Sequence, residues 1–183
     1  MFQVIDMHCD TIPALQWKEK QEHLADADLQ INLDKLEKGG SLCQCFSLFT
    51  FLKGLKDETP FEHVRKLADL WKSEVERYPD RICQIKTYAD LMQVQKEGKI
   101  GAVMTVEEGG VYEGSIEKLH TLYDFGVRIS TLTWNFPNEL GFPNPAQEEG
   151  KRAMTELLEL LDGKKKDTEV VFKNIVKWRG TTV

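Results

Sequence analysis

The sequence lacks any run of about 18 apolar residues, the length a bilayer-spanning helix needs. It also lacks a surplus of positive charge: Lys and Arg number 24 against 30 Asp and Glu, for a net charge of -6. That balance argues against a nucleic-acid surface, because phosphate binding needs a basic patch. The one basic run, Lys164-Lys165-Lys166, is short and reads as a solvated loop. Cysteine is sparse: Cys9, Cys43, Cys45 and Cys83. Cys43 and Cys45 sit two apart on an expected strand, and the absence of a second such pair excludes a zinc ribbon. Met1 to Asp6 has neither the basic nor the apolar region of a signal peptide. The expectation is a cytoplasmic protein with no membrane partner and four reduced, buried thiols. Internal repeats and low-complexity segments are absent, and no histidine follows His120.

What is present is an ordinary globular balance, with 41% hydrophobic and 30% charged residues over 183 positions. Phe2 to Cys9 reads as a short buried strand. Pro13 allows a helix start near Ala14, and residues 18–30 read as a charged surface crossing. Gly39-Gly40 precedes a second buried strand, Leu42 to Phe49. Pro60 opens a helix whose apolar positions Val64, Leu67, Leu70 and Trp71 keep helical spacing. Ile82 to Ile85 is a short strand candidate, and Thr87 caps a helix beginning at Tyr88. Ile100 to Val106 is a third buried strand. Ser115 caps a helix that Gly126 stops, and Val127 to Trp134 is a fourth strand. Strands alternating with helices predict βαβ units, hence a parallel sheet buried on both faces, as in a barrel or a doubly wound sheet.

Three strand ends carry chemistry. In Asp6-Met7-His8-Cys9-Asp10-Thr11, alternation places His8 and Asp10 on one face at the carboxyl end of the first strand. Parallel barrels place catalysis at that end. An imidazole and a carboxylate so spaced can reach one divalent metal, and zinc suits mixed N/O ligation. The spacing alone equally describes a strand end with structural hydrogen bonds. Glu107-Glu108-Gly109-Gly110 follows the third strand. A carboxylate there can bridge two metals, with glycines permitting close backbone approach and positive φ, or the segment is a polar turn. Asn135, after Trp134, is positioned to orient substrate or a ligand, and residues 138–145 read as a functional loop. His23, His63 and His120 fall on surface helices or loops and read as non-ligands.

Taken together, these segments resemble the membrane (renal) dipeptidase family of zinc peptidases, family M19. Asp6 to Thr11 matches the opening strand and Val106 to Gly110 the bridging-glutamate strand. Arg128 to Asn135 matches the next strand, and Gln44 to Phe49 the second. The resemblance runs in order over residues 1–145. It implies an α/β fold, a partial (β/α)8 TIM-type barrel of the metal-dependent hydrolase kind with about four parallel strands. It implies two Zn2+ ions per site in the complete fold. His8 and Asp10 would hold one, and a catalytic glutamate would bridge both. The family pattern Val-Glu-Gly-Gly favours Glu107, with Glu108 as alternate, and Asn135 would bind substrate. The implied reaction is hydrolysis of a dipeptide by a metal-activated water.

The pattern then breaks. The family supplies two further histidines and an aspartate from later strands, and the sequence has no histidine after His120 to match the first two. Residues 146–183 form a distinct helical segment resembling the family's C-terminal helices, which reads as an internal gap or as an unrelated tail. A half barrel leaves strand edges unpaired, so a homo-oligomer or marginal stability is expected. Two rivals remain: another barrel metal hydrolase of the amidohydrolase type, and a catalytically inactive fragment or assembly protein.

Overall fold

The computed structural model of the chain describes residues 3–18, 21–26 and 28–143. The expected helical segment 146–183 lies outside them. The described chain forms β1 (Val4–Asp6), α1 (Thr11–Gln16), α2 (Leu33–Lys38), β2 (Ser41–Phe49), α3 (Pro60–Arg77), β3 (Ile82–Gln84), α4 (Tyr88–Glu97), β4 (Ile100–Glu107), α5 (Ile116–Phe125) and β5 (Val127–Ser130).

All pairings are parallel, and β4 is central. β2 runs along one edge of β4, from Cys43 opposite Gly101 to Phe49 opposite Glu107. β3 and β5 share the other edge end to end: β3 pairs with Ile100 to Ala102 and β5 with Met104 to Val106. Among the described residues the sheet thus has the four expected strands and one more. The extra one is the short Ile82 segment.

Period-2 alternation sorts the two central strands. Phe46 and Leu48 of β2 and Ala102, Met104 and Val106 of β4 are buried against the helices. Their partners are Val64, Leu67, Ala68, Trp71 and Val75 of α3, Leu122 of α5, and Ile12 and Leu15 of α1. Each such fully buried aliphatic side chain contributes about 1.5–3 kcal/mol. Capping boxes fix the starts of α3 (Thr59 with Glu62) and α4 (Thr87 with Asp90). On the opposite sheet face, Val94 and Leu91 of α4 pack with Cys43, Val103 and Ile85, closing that face at its amino-terminal end. Its carboxyl-terminal end carries the candidate site.

Several expectations need correction. β1 ends at Asp6 and β5 at Ser130, shorter than their apolar runs suggest. The expectation of burial on both faces holds for β2 and β4 but not for β1 and β5, where Val4, Ile5 and Ile129 are exposed. Helix α1 starts at Thr11, with Pro13 inside its first turn, where no intrahelical N–H bond is lost. Cys9, Cys43 and Cys45 are buried, whereas Cys83 is exposed. Helix α2 carries its own signal, an Asn32 side chain accepting from Lys35 N at 2.9 Å.

His63 is buried on α3, not on a surface. Its Nε2 lies 3.1 Å from Gln16 Oε1 and its Nδ1 3.0 Å from Thr50 Oγ1. The amide oxygen accepts from Nε2–H, so Nδ1 accepts from the Thr50 hydroxyl. Desolvation by burial holds its pKa below the ordinary value, helped by Lys66 and opposed by Glu58. The unfolded chain therefore binds this proton more readily than the folded one. Stability conferred by neutral His63 is present above about pH 6.5 and is lost as pH falls through its depressed folded pKa. Urea midpoints measured between pH 7.5 and pH 5 should drop for the parental chain and drop less for His63→Gln.

Candidate metal centre

Backbone pairing continues past β1. Cys9 N donates to Cys45 O at 3.0 Å and Ser47 N donates to Cys9 O at 2.9 Å. This pins Cys9 against β2 and buries its thiol, whose pKa burial raises to about 11. His8 and Asp10, on either side of Cys9, are left exposed at the carboxyl rim of the sheet. Asp10 occupies the cap position of α1 yet its side chain makes no capping hydrogen bond. Its carboxylate turns to His8 instead, with Oδ1 3.4 Å from Nε2. Glu107, the last residue of β4, brings Oε2 to 3.3 Å from the same nitrogen. Ser47 Oγ donates to that oxygen at 3.2 Å and so orients the carboxylate.

One donor atom from each of His8, Asp10 and Glu107 lies within 4.8 Å of the others. Donors held at about 2.0–2.2 Å around a tetrahedral ion are themselves roughly 3.3–3.6 Å apart. The two distances from His8 Nε2, 3.3 and 3.4 Å, match that spacing. One imidazole nitrogen and two carboxylate oxygens form a donor set that fits zinc.

Glu108 goes elsewhere. Its backbone has φ 107° and ψ 94°, a conformation rarely adopted by a residue with a side chain. The turn it makes sends the side chain away from Glu107 into the protein, where it is buried. Oε1 accepts from Gly110 N at 2.9 Å and from Asn138 Nδ2, and Oε2 accepts from Trp134 N at 3.3 Å. The positive φ expected of the glycines thus falls on Glu108. Gly109 instead serves close approach: a Cβ there would lie 2.6 Å from Leu132 O and 2.6 Å from the Leu140 side chain.

Asn135 is exposed and makes no hydrogen bond to the His8–Asp10–Glu107 group. The structural amide of this loop is Asn138. Its Nδ2 donates to Leu132 O at 2.8 Å, and its Oδ1 accepts from Leu140 N at 2.8 Å and Gly141 N at 3.1 Å. Trp134 stacks edge-on to Phe49 at 4.8 Å between ring centres, and Phe49 pairs in register with Glu107. Phe51 and Phe136 extend this aromatic wall. Ser47, Asn138 and the wall were not singled out from the sequence as parts of one site. Ser47 was visible as one of two hydroxyls, with Ser41, on the face of β2 that carries Cys43 and Cys45.

Comparison with known proteins bears on the family and the fold. The chain matches the model of the membrane dipeptidase family, peptidase family M19, over residues 1–155. It is similar to the solved structure of a dipeptidase described as a family M19 metallopeptidase, at 17% identity and TM-score 0.61, covering 74% of this chain and 44% of that one. A Rhodobacter sphaeroides metallopeptidase liganded with a phosphinate mimic of L-Ala-D-Ala matches at 16% identity and TM-score 0.57, covering 85% and 56%. A Pseudomonas aeruginosa amidohydrolase matches at 16% identity and TM-score 0.54, covering 60% and 32%. At these low identities the structural likeness shows the fold alone, a partial barrel of parallel strands and helices. The chain spans between about a third and just over half the length of these relatives. Both the family match, which takes in each of the three strand ends, and the parallel architecture lead to one assignment: the chain belongs to the membrane dipeptidase family, peptidase family M19.

Proposed function

We propose that this chain carries the first half of a zinc-dependent dipeptidase site, for hydrolysis of a short peptide bond. The observation that supports the reading most is the donor spacing of His8, Asp10 and Glu107 at the carboxyl rim. His8 supplies nitrogen and Asp10 oxygen from the end of β1. Glu107 supplies a second carboxylate, with one oxygen anchored by Ser47 and the other available to a second ion. Zinc held by these residues would supply Lewis acidity, activating water for attack near neutral pH. Asn135 and the aromatic wall contact substrate at the rim. The zinc identity, the role of Glu107 in holding metal, the dipeptide substrate and a cytoplasmic setting all belong to this proposal.

Three donors among the described residues hold one ion, and no histidine follows His120 to add to them. Zinc measured by mass spectrometry after dialysis should therefore approach one ion per chain. Hydrolysis of L-Ala-D-Ala and of hydantoin-type amides, assayed with added zinc, separates the dipeptidase reading from an amidohydrolase. An unchanged zinc content in His8→Ala would remove the site assignment. Zinc binding without any hydrolysis favours the second reading, a non-catalytic assembly protein, which the short donor set supports.

A further inference from the structure

Among the described residues the sheet has two edges of opposite hand with no further strand beside them. Among the described residues, β1 pairs with β2 alone and β5 with β4 alone. Each edge strand carries apolar side chains into solvent: Val4 is 46% and Ile5 51% exposed on β1, and Ile129 is 41% exposed on β5. Met7 and Leu132, just beyond the two strands, are 61% and 67% exposed. Unpaired parallel edges with apolar side chains are templates for another chain.

The geometry points to a second copy of this chain as the occupant, closing a barrel whose metal site is shared. The inference rests on the proposed metal site for its functional part and on the sheet topology for its structural part. A two-fold axis parallel to the strands preserves every strand direction. It therefore brings β1 of one copy beside β5 of the other, in parallel, and does so twice in one isologous contact. The strands that succeed one another around the sheet are β1, β2, β4 and β5. Two copies supply twice that set, about eight strands, the number whose interior side chains just fill. β3 does not enter the count, because it occupies the amino-terminal part of the β4 edge beneath β5. All carboxyl ends then share one rim. His8, Asp10 and Glu107 of both copies face one lumen, so that six donors replace three. The matched part of this chain covers 44% and 56% of two of its relatives, about half of each.

A cysteine pair tests the contact. Within one chain β1 and β5 are separated by β2 and β4, three strand gaps or roughly 14 Å. A disulfide needs Cα atoms within about 7 Å. Ile5→Cys with Ile129→Cys, in the full chain with the exposed Cys83 changed to Ser, can therefore cross-link only between copies. Val4→Cys with Ser130→Cys covers a register two residues away. The parental chain should scatter as twice 21.0 kDa. At least one cysteine pair should run as a covalent dimer on a non-reducing gel and revert with reductant. A monomer by light scattering overturns the proposal, and so does a dimer in which neither pair cross-links, because its contact lies elsewhere. Zinc content measured on the same samples is scored separately. Cross-linking without zinc removes the shared site and keeps the closure, and zinc without cross-linking keeps the metal site and removes the closure.

Discussion

Zinc titrated into Glu107→Gln is expected to bind on the order of 100-fold more weakly than to the parental chain. Altering groups that merely orient a metal ligand costs about 10–100-fold in affinity, so removing a donor falls at or beyond the upper end of that range. The substitution is close to isosteric. The amide oxygen can still accept from Ser47, which donates at 3.2 Å in the parental chain, so the rim should keep its shape. What changes is charge and donor strength, since an amide is a poor ligand for zinc beside His8 and Asp10. Ser47→Ala should weaken binding by roughly 10-fold, through loss of orientation alone. Competition with a chromogenic chelator reads both. Equal zinc affinities in the parental chain and Glu107→Gln would take Glu107 out of the site.

How much of this was legible in the sequence depends on which residues are considered. The rim placement of His8 and Asp10 followed from alternation, although the assigned strand stops at Asp6. It held because Cys9 continues the backbone pairing to Cys45 and Ser47. The helix layer was legible for the same reason: the spacing Val64, Leu67, Trp71 states which face of α3 is buried. Exposure of β1 and β5 was not legible. A short β-branched run says that a segment can be a strand, but what covers it is a property of other strands. The Ser47–Glu107 contact was out of reach for a different reason, since it joins residues 60 positions apart through strand register. His63 looked like a surface residue because Thr50 and Gln16, which satisfy its ring nitrogens, come from other elements. Glu107 and Glu108 part company at a single backbone torsion, the φ of 107° at Glu108. No residue pattern encodes that directly, since a non-glycine residue is the less common occupant of such a conformation.

That torsion leads to the second large effect: Glu108→Ala should destabilise the chain by about 3 kcal/mol. Its carboxylate is buried and accepts from Gly110 N, Trp134 N and Asn138 Nδ2. Truncation leaves these donors without their charged acceptor, and a hydrogen bond to a charged group is worth about 1.5–3 kcal/mol. Relief of strain offsets part of the loss only in a glycine variant, because alanine keeps the Cβ that disfavours a positive φ. A loss of this size lowers the melting temperature by roughly 6–12 °C in a chain of this length. Glu108→Gln should cost less, because its amide oxygen can keep one or two of the three donors. The effect also differs in kind from that of Glu107. Glu108 ties the loop bearing Trp134 and Asn138 to the end of β4, whereas His8, Asp10 and Glu107 meet outside that loop. Zinc affinity measured well below the melting transition should thus change far less in Glu108→Ala than in Glu107→Gln. A variant of Glu108 that melts like the parental chain but loses zinc would reverse the two assignments, making Glu108 the ligand and Glu107 the bystander.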